Sequence, residues 1–131
     1  SFEFDYNFPK EMIQAKTPKL ILRPIVENSI MHGFLGKKSH GSLRIRGLQK
    51  KDKMVITITD NGCGIPSEEL RRIMAGERRK SYHGGGFGLR NIDERIKLAF
   101  GESYGLRVRS KYGIGTQVSI FLPLDERGEL P

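Results

Sequence analysis

The chain begins with an alternation. Phe2, Phe4, Tyr6 and Phe8 interleave with Glu3, Asp5 and Asn7, the period of a strand with one face buried. Thr17 followed by Pro18 offers an N-cap and a first-turn proline, and predicts a helix from there to Gly33. Pro24 falls inside that span and lacks a backbone donor, so a kink or restart is expected there. Leu22, Val26, Ser29 or Ile30, and Gly33 share one face, while Glu27, Asn28, Met31 and His32 make an unusually polar second one. Alternation resumes between Ser42 and Leu48, with Leu43 and Ile45 opposite Arg44 and Arg46. A polar turn from Gln49 to Lys53 leads into Met54–Thr59 and completes a hairpin.

A short helix from Glu68 to Ala75 follows Pro66-Ser67 and stops at Gly76. From Glu77 to Gly86 there is no apolar period, and the segment reads as a loop. Leu89, Ile92, Ile96 and Ala99 stripe a helix that runs to Phe100 and is ended by Gly101. Tyr104–Ser110 and Thr116–Leu122 form a second hairpin around Tyr112-Gly113-Ile114-Gly115. The order sums to about five strands and about three helices, and predicts an α+β two-layer sandwich with a mixed, mainly antiparallel sheet and helices on one face. One domain over residues 1–124 and a polar tail over residues 125–131 complete the expected organisation.

Composition narrows the class. With 131 residues, 37% hydrophobic and 29% charged, the chain has the balance of an ordinary globular domain. No apolar stretch approaches the ~18–20 residues of a membrane-spanning helix. The opening residues lack a basic start and an apolar run, so no signal peptide is expected. A single cysteine, Cys63, leaves no internal disulfide framework and suits a reducing compartment. The expectation is a cytoplasmic domain. A net charge of +8 asks for an anionic partner, and nucleic acid, anionic lipid or a polyphosphate nucleotide would each satisfy it. Lys50, Lys51 and Lys53 cluster in the first hairpin turn, whereas Arg71, Arg72, Arg78, Arg79 and Lys80 approach a glycine-rich segment.

Three local patterns carry chemistry. Met54, Ile56, Ile58 and Asp60 share a strand face, so the Asp60 carboxylate follows buried side chains inward and needs a hydrogen-bonding partner. It either caps the turn at Asn61-Gly62 or accepts from a ligand amine such as that of adenine. Gly62 and Gly64 permit tight turns and the close approach of a flat ligand. Gly84-Gly85-Gly86-Phe87-Gly88-Leu89 stands directly before a helix, where open N–H groups and the helix dipole suit phosphate. The spacing is not G-x-G-x-x-G after a strand, and no G-x-x-x-x-G-K-[ST] occurs, so neither a Rossmann unit nor a P-loop is present. Asn28, on the first helix, carries a carbonyl able to ligate magnesium, although a lone helical asparagine is more often a surface residue.

In order, Glu27–Gly33, Asp60–Gly64, Gly84–Leu89 and Gly115-Thr116 resemble the asparagine box, the two glycine boxes and the closing Gly-Thr pair of the GHKL ATPase superfamily. DNA gyrase, MutL and the histidine kinases belong to it. Arg23-Pro24-Ile25-Val26-Glu27-Asn28 and Gly88–Ile96 resemble the ATP-binding catalytic domain of sensor histidine kinases of the LytS/YesM type. The resemblance covers residues 19–123. It implies the Bergerat α/β sandwich, with ATP and Mg²⁺ as cofactors. Asn28 would hold Mg²⁺ bridging the phosphates, with Glu27 as a candidate base or outer partner. Asp60 would bind the adenine amino group, Gly62 and Gly64 would shape the pocket, and Thr116 would support Asp60. Gly84, Gly86 and Gly88 would hinge a lid and admit phosphates, while His32, Ile65, Phe87 and Leu89 complete the expected binding set. The implied partners are an upstream dimerisation and phosphoacceptor domain and a response regulator, within a membrane-tethered homodimeric parent.

Two departures refine this. Many related asparagine boxes place Lys three residues after the Asn, where Met31 stands here; Arg78, Arg79, Lys80 or His83 are candidate replacements. Hydrolytic members place a general-base Glu one helical turn before the Asn, where Pro24 stands, which favours transfer to a protein side chain over transfer to water. His32, His40 and His83 lack the two-helix context of a phosphoacceptor. Other readings are a hydrolytic ATPase or serine kinase of the same fold, or a basic nucleic-acid module. The basic clusters carry no interleaved aromatics and no zinc or helix-turn-helix signature, so nucleic acid is not expected as a partner.

Overall fold

The four strands between residues 41 and 123 turn alternate side chains toward a common apolar layer, and the register shows how they meet. The computed structural model describes residues 2–7, 16–29, 41–76, 86–125 and 127–131. In chain order the elements are β1 (Phe2–Asn7), α1 (Lys16–Asn28), β2 (Gly41–Lys50), β3 (Lys53–Asp60), α2 (Ser67–Met74), α3 (Gly86–Phe100), β4 (Gly105–Lys111) and β5 (Gly115–Pro123). The five strands form one sheet in the order β1-β2-β3-β5-β4. β2, β3, β5 and β4 pair antiparallel, and β1 joins the edge parallel to β2. That parallel pairing needs a crossover, and α1 lies within the connection.

Register places Ile45 opposite Ile58, Ile58 opposite Val118, and Ile56 opposite Ile120. These residues, with Leu43, Met54 and Leu122, are buried together with Ile25 of α1 and Leu89, Ile92 and Ile96 of α3. One sheet face is thus covered by helices, and burying these branched side chains contributes roughly 1.5–3 kcal/mol each. On the opposite face the Arg107 guanidinium lies over the Phe121 ring, 5.4 Å from its centroid.

Several local expectations shift. The β2–β3 turn is tighter than Gln49–Lys53, because Lys50 pairs with Lys53 and only Lys51 and Asp52 remain outside the ladder. Lys51 adopts φ 54°, the left-handed conformation that closing so short a turn requires. α1 runs unbroken through Pro24, whose side is exposed; Ile25 and Ser29 are buried, and the expected Leu22 and Val26 are partly buried and pack against the core beside them. Residues 30–33, where that helix was expected to continue, lie outside the described residues. On α3 Ala99 is exposed, and Phe100 packs against the core in its place. α3 also begins at Gly86, so part of the glycine run is helical. At the C-terminus Asp125 accepts from the backbone N–H groups of Arg127 and Glu129, both at 2.9 Å, and Leu130 packs against the core. No helix among the described residues is long and apolar enough to cross a membrane.

Candidate functional site

At the C-terminal end of β3 the apolar inner face gives way to polar groups. Asp60 continues the line of Met54, Ile56 and Ile58 and is only 8% exposed. Its Oδ1 accepts from Gly62 N–H at 2.9 Å and from Thr116 N–H at 3.2 Å. Oδ2 has no hydrogen-bond partner among the described residues. Oδ1 thus takes the turn-capping role, and Oδ2 is left without one. Leaving a buried carboxylate oxygen unmatched is costly, so the geometry calls for a donor from outside.

The loop after Asp60 is held against the β4–β5 hairpin. Asn61 Oδ1 accepts from Ser42 N–H at 2.8 Å, tying the loop to β2. Gly113 N–H donates to the Cys63 carbonyl at 2.6 Å. Gly64 has φ +72°, and a Cβ there would lie 2.1 Å from the Lys111 carbonyl oxygen. Gly115, at φ +153°, is equally constrained, since its Cβ would meet the Asp60 carbonyl oxygen at 2.1 Å. Glycine is required at both positions for the two loops to approach.

Ser110 was not among the expected site residues, yet it joins these pieces. Its Oγ accepts from Ile65 N–H at 2.7 Å, donates to the Gly115 carbonyl at 3.0 Å and lies 2.8 Å from Thr116 Oγ1. The signal was present in the alternation: Leu106, Val108 and Ser110 share one strand face, opposite Ile120, Val118 and Thr116. A serine at the end of an apolar line deserves the same question as Asp60.

The remaining expected residues are distributed as follows. Glu27 is exposed, and its carboxylate pairs with Arg23 Nε at 2.9 Å. Asn28 is the last residue of α1. Gly86, Phe87 and Gly88 form the first turn of α3, and a Cβ on Gly88 would meet open space. Leu89 is 1% exposed, so its side chain belongs to the core. His32, Gly84, Met31, His40, Arg78, Arg79, Lys80 and His83 lie outside the described residues. The structure brings together Asp60, Gly62, Gly64, Ile65 and Thr116 through hydrogen bonds and close backbone approach. Arg90 is a second residue the sequence reading missed: it donates to the Met74 carbonyl and to Glu94 Oε1, the latter at 2.8 Å, fastening the end of α2 to α3.

Solved structures share this architecture. The chain matches the catalytic domain of the histidine kinase ThkA with a TM-score of 0.66 at 15% identity, over 93% of this chain and 78% of that one. It matches the histidine kinase domain of the blue-light activated kinase EL346 from Erythrobacter litoralis with a TM-score of 0.63 at 19% identity, over 97% of this chain and 57% of that one. The fold is thus that of a histidine kinase catalytic domain. The chain belongs to the histidine kinase-, DNA gyrase B- and HSP90-like ATPase family, whose model matches residues 14–126. It is 36% identical over 121 residues to the sensor histidine kinase YesM of Bacillus subtilis, covering 92% of this chain and 19% of that protein. It is 32% identical over 122 residues to the sensor protein LytS of Staphylococcus epidermidis, covering 93% of this chain and 20% of that protein. The chain therefore spans about a fifth of the length of these curated relatives.

Proposed function

We propose that residues 1–124 form the ATP-binding catalytic domain of a two-component sensor histidine kinase, which presents Mg·ATP to a histidine carried elsewhere in the parent protein. The observation that carries this reading is the buried Asp60, with one oxygen fixed by two backbone donors and the other open. An exocyclic amine supplies the donor that Oδ2 lacks, and adenine carries one. Gly64 and Gly115 let the surrounding backbone close around a flat base. At the start of α3, first-turn N–H groups that have no acceptor within the helix and the positive end of the helix dipole favour phosphate oxygens.

Asn28 would hold magnesium, which when bound neutralises charge on the phosphates. Glu27 is less suited to act as a base while it is paired with Arg23; it would serve once that exposed pair opens, and such a pair is held by at most about 1 kcal/mol. Pro24 has no group able to activate water, which supports phosphoryl transfer to a protein side chain over hydrolysis. The likeness to YesM and LytS supports an upstream dimerisation and phosphoacceptor domain, a response regulator as downstream partner, and a membrane-tethered parent with this domain on the cytoplasmic side.

ATP labelled in its γ-phosphate tests the division of labour. The isolated chain is expected to bind it in a magnesium-dependent manner, to release little inorganic phosphate and to retain almost no covalent label. Asn28→Ala should abolish the magnesium dependence. Rapid hydrolysis would instead place the chain with the hydrolytic members of the fold, and strong self-labelling would contradict an acceptor located elsewhere.

A further inference from the structure

The sheet face turned away from the helices is unevenly charged. β2, β3, β4 and β5 together carry a single carboxylate, Asp60, and it points inward. Arg44 and Arg46 of β2 stand in register with Asp5 and Asn7 of β1. At the far edge of the sheet, β4 sets Arg107, Arg109 and Lys111 on the outer face and Leu106, Val108 and Ser110 on the inner one. All three cations are exposed, and none has an ion-pair partner among the described residues. Asp93, which reaches β4, is committed to Lys97 Nζ at 2.5 Å and to the Leu106 N–H at 2.8 Å. The carboxylates of β1 are four strand spacings away, about 19 Å, well beyond the ~8 Å screening length of physiological salt. Like charges repeated about 6.8 Å apart on one strand face give the fold nothing, so their use lies outside it.

The row runs into an apolar tip. Tyr112 and Ile114, in the turn between β4 and β5, are 70% and 59% exposed. The turn beneath them is fixed, because the Ile114 N–H donates to the Lys111 carbonyl at 2.9 Å and the Gly113 N–H to the Cys63 carbonyl at 2.6 Å. Apolar side chains held on a rigid turn lose little freedom when they are covered.

Three kinds of anionic partner compete for such a strip, and its geometry favours one. Single-stranded nucleic acid stacks bases on open aromatic rings, whereas the Phe121 ring on this face lies under the Arg107 guanidinium. A bilayer entered by the Tyr112 tip would meet Lys111 alone, since Arg109 and Arg107 recede along the strand by about 7 and about 14 Å. A polypeptide lying alongside β4 reaches all of them. An extended chain repeats its side chains on one face every ~6.8 Å, the spacing of the row, and guanidinium forks pair with carboxylates through two hydrogen bonds.

We propose that the outer side of the β4–β5 hairpin is a docking strip for an acidic segment of another protein, with carboxylates set along Arg107, Arg109 and Lys111 and an apolar end seated on Tyr112 and Ile114. The strip is separate from the Asp60 site and needs no nucleotide.

Random peptides of about 12 residues displayed on phage, more than long enough to span the row and the tip, test this by selection against the whole chain. The selected peptides should be rich in Asp and Glu, with an aromatic or aliphatic residue at one end. The strongest is synthesised, labelled and titrated by fluorescence anisotropy, with thermal unfolding run on every variant. Arg107→Glu with Arg109→Glu should weaken its binding about tenfold or more, and Tyr112→Ala about tenfold. The same charge change on the β2–β3 turn, Lys50→Glu with Lys51→Glu, should alter it less than about twofold. Arg107→Gln with Arg109→Gln replaces the reversal should that variant fail to fold. Equal losses at the two sites would reduce the binding to general charge and overturn the proposal, as would selected peptides without acidic enrichment. Phosphatidylserine vesicles and a single-stranded oligothymidylate are the remaining arms. Binding of either that depends on Arg107 and Arg109, where peptide binding does not, would overturn the proposal in favour of a membrane or a nucleic acid.

Discussion

The two ends of β3 are built on opposite principles. At the Met54 end, the strand is flanked by Leu122, and Leu124 and Leu130 add to the same apolar core. There the Leu124 N–H donates to the Asp52 carbonyl, and the Lys53 ammonium lies 5.4 Å from the Tyr104 ring centroid. At the Asp60 end, the same inner face carries Asp60, Thr116 and Ser110, joined by directed hydrogen bonds and closed by glycines that admit no side chain. Apolar burial is non-directional and contributes stability wherever volume is filled. A buried polar network contributes little net stability but fixes donors and acceptors in place. One end holds the sheet together; the other is the end proposed to receive the nucleotide.

Substitutions should separate the two roles. Ile56, fully buried at the centre of the sheet, should yield the largest loss of stability: Ile56→Ala is expected to cost about 2–5 kcal/mol through lost burial and a residual cavity. Chemical denaturation measures that loss, and nucleotide affinity of the folded fraction should stay near wild type. Gly64→Ala tests the ligand end. Its positive φ alone costs roughly 1–3 kcal/mol, and the clash with the Lys111 carbonyl must move one loop. Here affinity should fall further than stability explains, which calorimetry on the folded protein can establish.

Smaller effects probe turns remote from the ligand end. Lys51 is the non-glycine residue with positive φ among those described. Relief of that strain, about 1–2 kcal/mol, outweighs the unfolded-state entropy that glycine adds, about 0.5–1 kcal/mol. Lys51→Gly should therefore raise stability slightly, by ~0.5 kcal/mol, with nucleotide affinity unchanged.

The smallest effect concerns pH. Hydrogen bonds from the Glu129 and then the Arg127 backbone N–H, aided by the Arg127 charge, hold the Asp125 carboxyl below its ordinary 3.8. A carboxyl lowered on folding stabilises the turn fully above its unfolded value, and that contribution is lost as pH falls through the folded value. Amide-exchange protection at Arg127 and Glu129, taken relative to the intrinsic rate at each pH, should fall only below about pH 4. Loss of that protection at neutral pH would contradict this assignment.

Strand alternation made much of this fold legible. It located both hairpins and turned Asp60 inward, because a period of two leaves no other face for it. The glycine before α3 and the order of the boxes carried the rest of the site, through resemblance more than through spacing. Ser110 escaped because its partners, Ile65, Gly115 and Thr116, become neighbours only when β4 and β5 pair and the loop after Asp60 folds against them. Arg90 escaped for a similar reason, as its Met74 partner lies on another helix. The tight β2–β3 turn was hidden because lysine is a poor signal for positive φ. A mixed sheet was expected, but which strand pairs in parallel was not legible, because pairing direction depends on the crossover and not on the strand's own pattern.

The central claim is that the open oxygen of Asp60 receives the amino group of adenine. Calorimetric titration of Mg·ATP into wild type and Asp60→Asn tests it most directly, since the amide can keep an acceptor for Gly62 and Thr116 while offering a donor where Oδ2 stood. The account predicts that the folded variant loses affinity at least tenfold, about 1.4 kcal/mol, with its unfolding midpoint little changed. Equal affinity in the two proteins would contradict it.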